Sequence, residues 1–155
     1  MNKLSLSVPL GLLCVSAFSA QATTYVSAKA MLDVNNGKLI NAPLIQIDDG
    51  IITKISSGTM PTLQQGDDHI KLPELTILPG LMDMHVHLTS DPTVPRSERI
   101  GQSVPRKAIK AAYFAEKTLK AGFTTLRNVG AEGYSVIAVR DGINAGDIIG
   151  PRIWA

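Results

Sequence analysis

The segment 78–88 is a short apolar run that ends in two histidines one residue apart, His85 and His87. If the run forms a strand, its side chains alternate between two faces, so His85 and His87 share a face with Asp83. Two neighbouring imidazoles on a rigid strand, with a carboxylate one step behind them, supply part of a metal site. The segment therefore favours folds in which a strand ends beside a bound cation.

The residues after position 76 predict alternating strands and helices. The expected elements are a strand from Ile77 through His87, a helix with Ser103 as N-cap that ends at Gly122, a strand at 123–127, a helix over Tyr134–Ala145 and a strand starting at Pro151. Repeated strand–helix units imply a parallel sheet with helices on its faces. The pattern therefore predicts an α/β fold.

The preceding segment, residues 25–75, has the pattern of a small antiparallel sheet. Asn35-Asn36-Gly37 and Asp48-Asp49-Gly50 are turn sequences that tolerate the positive φ of tight hairpins. A polar loop is expected over Gly58–Asp68, followed by a short strand, His69–Leu72, that Pro73 closes. His69 is expected to be a surface or strand-edge residue of this sheet and not a metal ligand.

Residues 1–22 have the pattern of a signal peptide. Lys3 precedes a mostly apolar stretch, and Ala20-Gln21-Ala22 supplies the small residues that a signal peptidase needs. This predicts a periplasmic or secreted protein with no membrane anchor after cleavage; Leu13 argues against lipid attachment at Cys14. Cleavage removes the single cysteine of the chain, so a metal would bind through nitrogen and oxygen ligands.

Charge and glycine usage disfavour two other classes of protein. The formal net charge is +2, and the basic residues of 106–120 have the spacing of the solvated face of a helix, which argues against nucleic acid as a partner. Gly80, Gly122 and Gly130 are interpreted as turn and cap residues. No Lys-Ser/Thr follows them, so they do not form phosphate-binding loops.

The segment Leu78–His87 resembles the metal-binding motif of the amidohydrolase superfamily: an apolar residue, Pro-Gly, an apolar pair, Asp, any residue and His-x-His. Residues 121–130, and 141–146 with 150–152, resemble the imidazolonepropionase-like branch. That branch includes secreted Xaa-Pro dipeptidases and related carboxypeptidases. Family members often carry Asp where Asn128 stands, a position that we do not predict to be catalytic.

The resemblance implies both a fold and a site. The fold is an incomplete (β/α)8 TIM barrel over residues 77–155, with two βα units and the start of a third strand, preceded by part of a β-sandwich over 23–76. A whole barrel needs about 250 residues. His85 and His87 would bind one metal, most often zinc, and Asp83 would support them through a hydrogen bond. The complete protein would hold one or two divalent ions. Apart from the resemblance, Arg127 at the end of its strand could face the substrate, but it is expected to form an ion pair nearby and is left out of the site.

By the same resemblance, the chain is expected to be the N-terminal fragment of a metal-dependent amidohydrolase that cleaves C–N bonds, with dipeptides or N-acyl amino acids as substrates. The other ligands and the general base would lie beyond residue 155, and the complete protein could be a homo-oligomer. One alternative is a truncated, inactive product with at most weak metal binding. A second is a cyclic-amide hydrolase of the imidazolonepropionase type, against which secretion argues.

Overall fold

A computed structural model describes residues 22–155, which divide into two compact units with the boundary between Ile77 and Leu78. The predicted signal peptide, apart from Ala22, lies outside these residues. Along 22–155, no helix is both long enough and apolar enough to cross a membrane.

The first unit is a mixed sheet. Its strands are β1 (Thr23–Asp33), β2 (Lys38–Asn41), β3 (Pro43–Asp48), β4 (Ile51–Ser57) and β5 (Asp68–Ile77). β2 and β3 run antiparallel to β1 in a single register, with Asn41 opposite Ala30 and Leu44 opposite Ser27. Between them lies Ala42, with φ of 46°, whose N–H donates to Lys29 O at 2.9 Å. The two short strands therefore act as one interrupted strand beside β1.

The second hairpin turn has the conformation that its sequence predicts. Asp49 and Gly50 join β3 to β4 with φ values of 50° and 74°. Two consecutive positive φ values are typical of a tight hairpin turn, and Asp-Gly is a favoured pair for it. The turn brings Asp48 opposite Ile51 and sets the pairing of β3 with β4.

Two expectations for the first unit are wrong. The sheet is not purely antiparallel, because β5 pairs with β1 in parallel. Pro73 also does not end the last strand, which continues to Ile77. The register places Leu72 opposite Ala28 and Thr76 opposite Ala30, so two extra residues bulge out of β5 at this point. A proline, which has no N–H for the ladder, is tolerated at such an irregularity.

The second unit has the alternating pattern that the sequence predicts, and the α/β class is confirmed. Its elements are β6 (Leu81–Val86), α1 (Arg96–Arg99), α2 (Val104–Lys120), β7 (Phe123–Asn128), α3 (Ser135–Ala145) and β8 (Arg152–Trp154). The three strands are parallel in the order β6–β7–β8. Ile77 belongs to β5 and not to β6, and His87 follows the last residue of β6. The short helix α1 falls where the sequence predicts only a loop.

Local signals set the ends of the helices. Ser103 caps α2, because its Oγ accepts a hydrogen bond from Arg106 N at 3.4 Å. Gly146 ends α3 with φ of 82°, the left-handed conformation that suits glycine. Ala111 and Ala115 of α2 are fully buried in a core that also includes Leu126 of β7. The helices thereby cover one face of the sheet and leave the carboxyl ends of its strands accessible.

Gly80 is required for close packing and not for a turn, which corrects the interpretation from the sequence. Its φ lies outside the left-handed range. A Cβ added to it would lie 2.7 Å from the Cβ of Thr124, closer than real side chains approach. The Pro-Gly before β6 thus lets the start of β6 pass directly beside β7.

Candidate metal centre

His85 and His87 lie at the carboxyl end of β6, with their ring centroids 5.5 Å apart and the ring planes at 68°. Both side chains are exposed. The carboxyl ends of parallel strands are where α/β folds of this kind carry their sites. The structure therefore brings the two predicted ligands together at the edge of the sheet where a site is expected.

A hydrogen bond sets the tautomer of His87. Its Nδ1 lies 3.2 Å from the carbonyl oxygen of Gly130. A carbonyl oxygen can only accept, so Nδ1 carries the proton, and Nε2 of the neutral ring retains the lone pair that a metal needs. A Cβ on Gly130 would lie 3.1 Å from Cε1 and 3.2 Å from Nδ1 of this ring. Glycine therefore allows the backbone to approach the imidazole this closely.

Asp83 contacts the backbone of His85 and not its ring. The N–H of His85 donates to Asp83 Oδ1 at 3.0 Å. Across residues 22–155, no group of three or more His, Cys, Asp or Glu side chains is placed to hold a metal. The two imidazoles nevertheless fit a divalent cation, because a catalytic zinc site commonly has three protein ligands and an open position. His85 and His87 would supply two of the three.

Asn128 belongs to this site, although the sequence analysis marked it only as a position where family members often carry Asp. It is the last residue of β7, and it is buried. Its Oδ1 accepts from Leu88 N at 2.9 Å, and its Nδ2 donates to Gly130 O at 3.1 Å. The position at the end of the strand next to β6 is the signal that could have identified it.

A cavity of about 370 Å³ lies beside His87. Its lining is mostly polar: His87, Thr89, Ser90, Arg99, Gln102, Lys107, Gly130, Ala131 and Glu132. The Nε of Arg99 is buried, and within 22–155 it has no hydrogen-bond partner. Lys107 has a side chain that is 12% exposed and pairs with Glu132. The cavity lining thus includes two basic side chains, of which Lys107 is paired with Glu132.

The loop after β6 is tied to α2 by Asp91. Its carboxylate accepts from the N–H of Thr93 at 3.0 Å and from its hydroxyl at 2.5 Å, and it pairs with Lys110 Nζ at 2.9 Å. The Thr93 hydroxyl and then Lys110 lower the pKa of Asp91 to about 2. The carboxylate is therefore ionised at neutral pH and holds one side of the cavity loop against the helix.

Two other residues that the sequence singled out lie apart from the metal ligands. The structure shows no ion pair of Arg127 within 22–155; its Nε instead donates to Met84 O at 2.7 Å, which corrects the expectation. The bond lies where one extra residue of β6 interrupts its pairing with β7. His69 lies on β5 in the first unit, with its Nε2 2.9 Å from Ser27 Oγ.

The solved structures that are similar to this chain include the following three. A Xaa-Pro dipeptidase with methionine bound in its active site is 38% identical, with 85% of this chain and 32% of that chain covered and a TM-score of 0.74. A prolidase complexed with N-methylphosphonate-L-proline is 24% identical, with 85% of this chain and 31% of that chain covered and a TM-score of 0.70. Molinate hydrolase is also 24% identical, with 86% of this chain and 29% of that chain covered and a TM-score of 0.72. The likeness to the last two shows the fold alone.

This chain spans about a third of each of these structures. No curated protein matches it. Residues 76–155 match the Amidohydrolase family over just over half of the chain, including the His-x-His strand and both βα units. The resemblance seen in the motifs is confirmed, and the chain belongs to the Amidohydrolase family.

Proposed function

We propose that this chain is the N-terminal part of a longer protein, the complete enzyme, which is a metal-dependent amidohydrolase that hydrolyses C–N bonds on a (β/α)8 barrel. The observation that carries the proposal is the pair His85 and His87 at the carboxyl end of β6, with Nδ1 of His87 engaged by Gly130. The family match and the hydrolases among the similar structures support the reaction class. The signal-peptide pattern of residues 1–22 supports a periplasmic or secreted location.

In this proposal His85 and His87 hold a divalent cation, zinc, which when bound supplies Lewis-acid activation of a carbonyl group and of water. Two neighbouring groups keep these ligands in position through hydrogen bonds. The Gly130 carbonyl keeps the proton of His87 on Nδ1, and the Asp83 carboxylate accepts from the N–H of His85. Such contacts hold ligands on a rigid strand in one orientation before a substrate arrives.

The cavity supports a dipeptide or an N-acyl amino acid as the substrate, since both carry a free carboxylate. Arg99 and Lys107 are both part of the cavity lining. A guanidinium group is well suited to bind a carboxylate. The Xaa-Pro dipeptidase among the similar structures makes dipeptides that end in proline the first substrates to test.

The test is the double variant His85→Ala/His87→Ala of the complete enzyme. We expect bound metal, measured by elemental mass spectrometry, and hydrolysis of L-alanyl-L-proline both to fall below detection, because two ligands are lost together. His69→Ala is the matched control, since it removes an imidazole from the first unit, and it should retain both. A double variant that keeps its metal and its activity would exclude this site and with it the proposed function.

A further inference from the structure

We infer that Asn128 is a positioning residue for the metal ligand His87. The inference rests on the proposed function, because it assigns a role in the same metal site. Asn128 does not contact the ring itself. Its carboxamide acts through two groups that do control His87: the carbonyl oxygen that receives the ring proton, and the peptide that follows the ligand in the chain.

The first connection runs through Gly130. Its carbonyl oxygen accepts from Nδ1 of His87 at 3.2 Å and from Nδ2 of Asn128 at 3.1 Å. Two donors on one oxygen fix the direction of this carbonyl, and that direction sets the orientation of the imidazole. A carbonyl held in place also keeps the proton on Nδ1, which leaves Nε2 free to bind a cation.

The second connection runs through the backbone after the ligand. The N–H of Leu88 donates to Asn128 Oδ1 at 2.9 Å. On the other side of His87, the carbonyl of Val86 accepts from Val129 N at 3.1 Å. The residues before and after His87 are thus both fixed to the segment 128–129, which limits rotation of the ligand about its own backbone.

The orientation of the amide follows from its partners. The N–H of Leu88 can only donate and the carbonyl of Gly130 can only accept, so oxygen and nitrogen of the side chain cannot be exchanged. Asn128 is 8% exposed, and Leu88 is 4% exposed. Water has little access to the bond between Leu88 N and Asn128 Oδ1, so removing the carboxamide leaves the buried N–H of Leu88 unsatisfied.

This role depends on both polar atoms of the side chain. Alanine at position 128 has neither, so Leu88 N loses its acceptor and Gly130 O loses one of its two donors. Asn128→Ala therefore breaks the connections to the ring and to the backbone while it leaves both metal ligands in place.

The experiment compares Asn128→Ala with Asn144→Ala in the complete enzyme. Asn144 is exposed on α3, so the control makes the same chemical change outside the site. Zinc affinity is measured by competition with a chelating dye, and the tautomer of His87 by ¹⁵N NMR of the metal-free enzyme. For Asn128→Ala we expect zinc affinity to fall roughly 10- to 100-fold, as for other partners of metal ligands. Part of the His87 population should also move its proton to Nε2, whereas Asn144→Ala should change neither quantity.

The outcomes separate this inference from the proposed function. If Asn128→Ala leaves zinc affinity and tautomer unchanged, the inference is wrong even where His85→Ala/His87→Ala abolishes metal binding. A lower unfolding temperature with both quantities unchanged would also overturn it, because it would show support of the fold alone. Should Asn128→Ala not fold, Asn128→Ser serves instead. A single hydroxyl cannot reproduce both bonds of the amide, so the same loss of affinity and shift of tautomer are expected.

Discussion

At the scale of single residues, Arg99 gives the cavity its clearest chemical preference. Its Nε is buried without a partner within residues 22–155, and the cavity that it lines also includes His87. A guanidinium group carries five N–H donors in a planar arrangement that matches a carboxylate. Arg99 is therefore placed to recognise the carboxylate of the proposed substrate.

For Arg99→Gln in the complete enzyme, we expect kcat/KM for L-alanyl-L-proline to fall roughly 10- to 100-fold, the range for loss of a hydrogen bond to a charged group. The same variant should hydrolyse the C-terminal amide of this dipeptide as well as the wild-type enzyme does. Arg96→Gln removes a charge from the same helix, and Arg96 does not line the cavity beside His87. Equal losses in the two variants would indicate general electrostatic attraction and not a specific contact.

At the scale of elements, Asp91 connects the loop after β6 to α2 through Thr93 and Lys110. Its pKa is lowered from 3.8 to about 2. A carboxyl whose pKa is lower in the folded state stabilises the fold above its unfolded pKa, and that stabilisation is lost as the pH falls towards the folded pKa. The contribution of Asp91 is therefore complete above about pH 4 and disappears near pH 2.

Denaturant midpoints of the wild-type enzyme and of Asp91→Asn, measured between pH 2 and pH 6, test this connection. We expect the wild type to be more stable above about pH 4, and the difference to shrink towards zero as the pH approaches 2. Thr93→Val removes the hydroxyl that contributes most to the lowered pKa. This variant should therefore lose part of the stability that Asp91→Asn loses above about pH 4. A difference that stays constant across this range would mean that the charge of Asp91 has no role.

The elements also show where sequence reasoning succeeds. The cap at Ser103 and the stop at Gly146 depend on a few neighbouring residues, so the sequence predicts α2 and α3 to within a residue or two. The parallel pairing of β5 with β1 depends on a partner some forty residues away, and no local pattern encodes it. The same limit applies to the site: the His-x-His pair is local, whereas the contacts of Asn128 and Gly130 with the segment around His87 appear only after folding.

At the scale of the whole molecule, the parallel sheet of the second unit presents two edges. Within residues 22–155, β7 pairs on both sides, whereas β6 and β8 each pair only with β7. Large apolar side chains stand exposed on both outer strands, including Met82 (68% exposed) and Trp154 (62% exposed). Unpaired edges with exposed apolar residues are a liability that a closed barrel removes.

If the complete enzyme closes this sheet into the proposed barrel, both outer strands gain a further partner. Some backbone amides of β6 and β8 do not donate to β7. We expect these amides to exchange with deuterium as slowly as the amides of β7, because every strand of a closed barrel is paired on both sides. Hydrogen exchange of the complete enzyme, resolved by residue, measures this, and β7 is the internal reference. Fast exchange along the outer side of β6 or β8, with β7 protected, would mean that the sheet stays open. The site would then stand at a free edge, where His85 and His87 could not be enclosed by ligands from further strands.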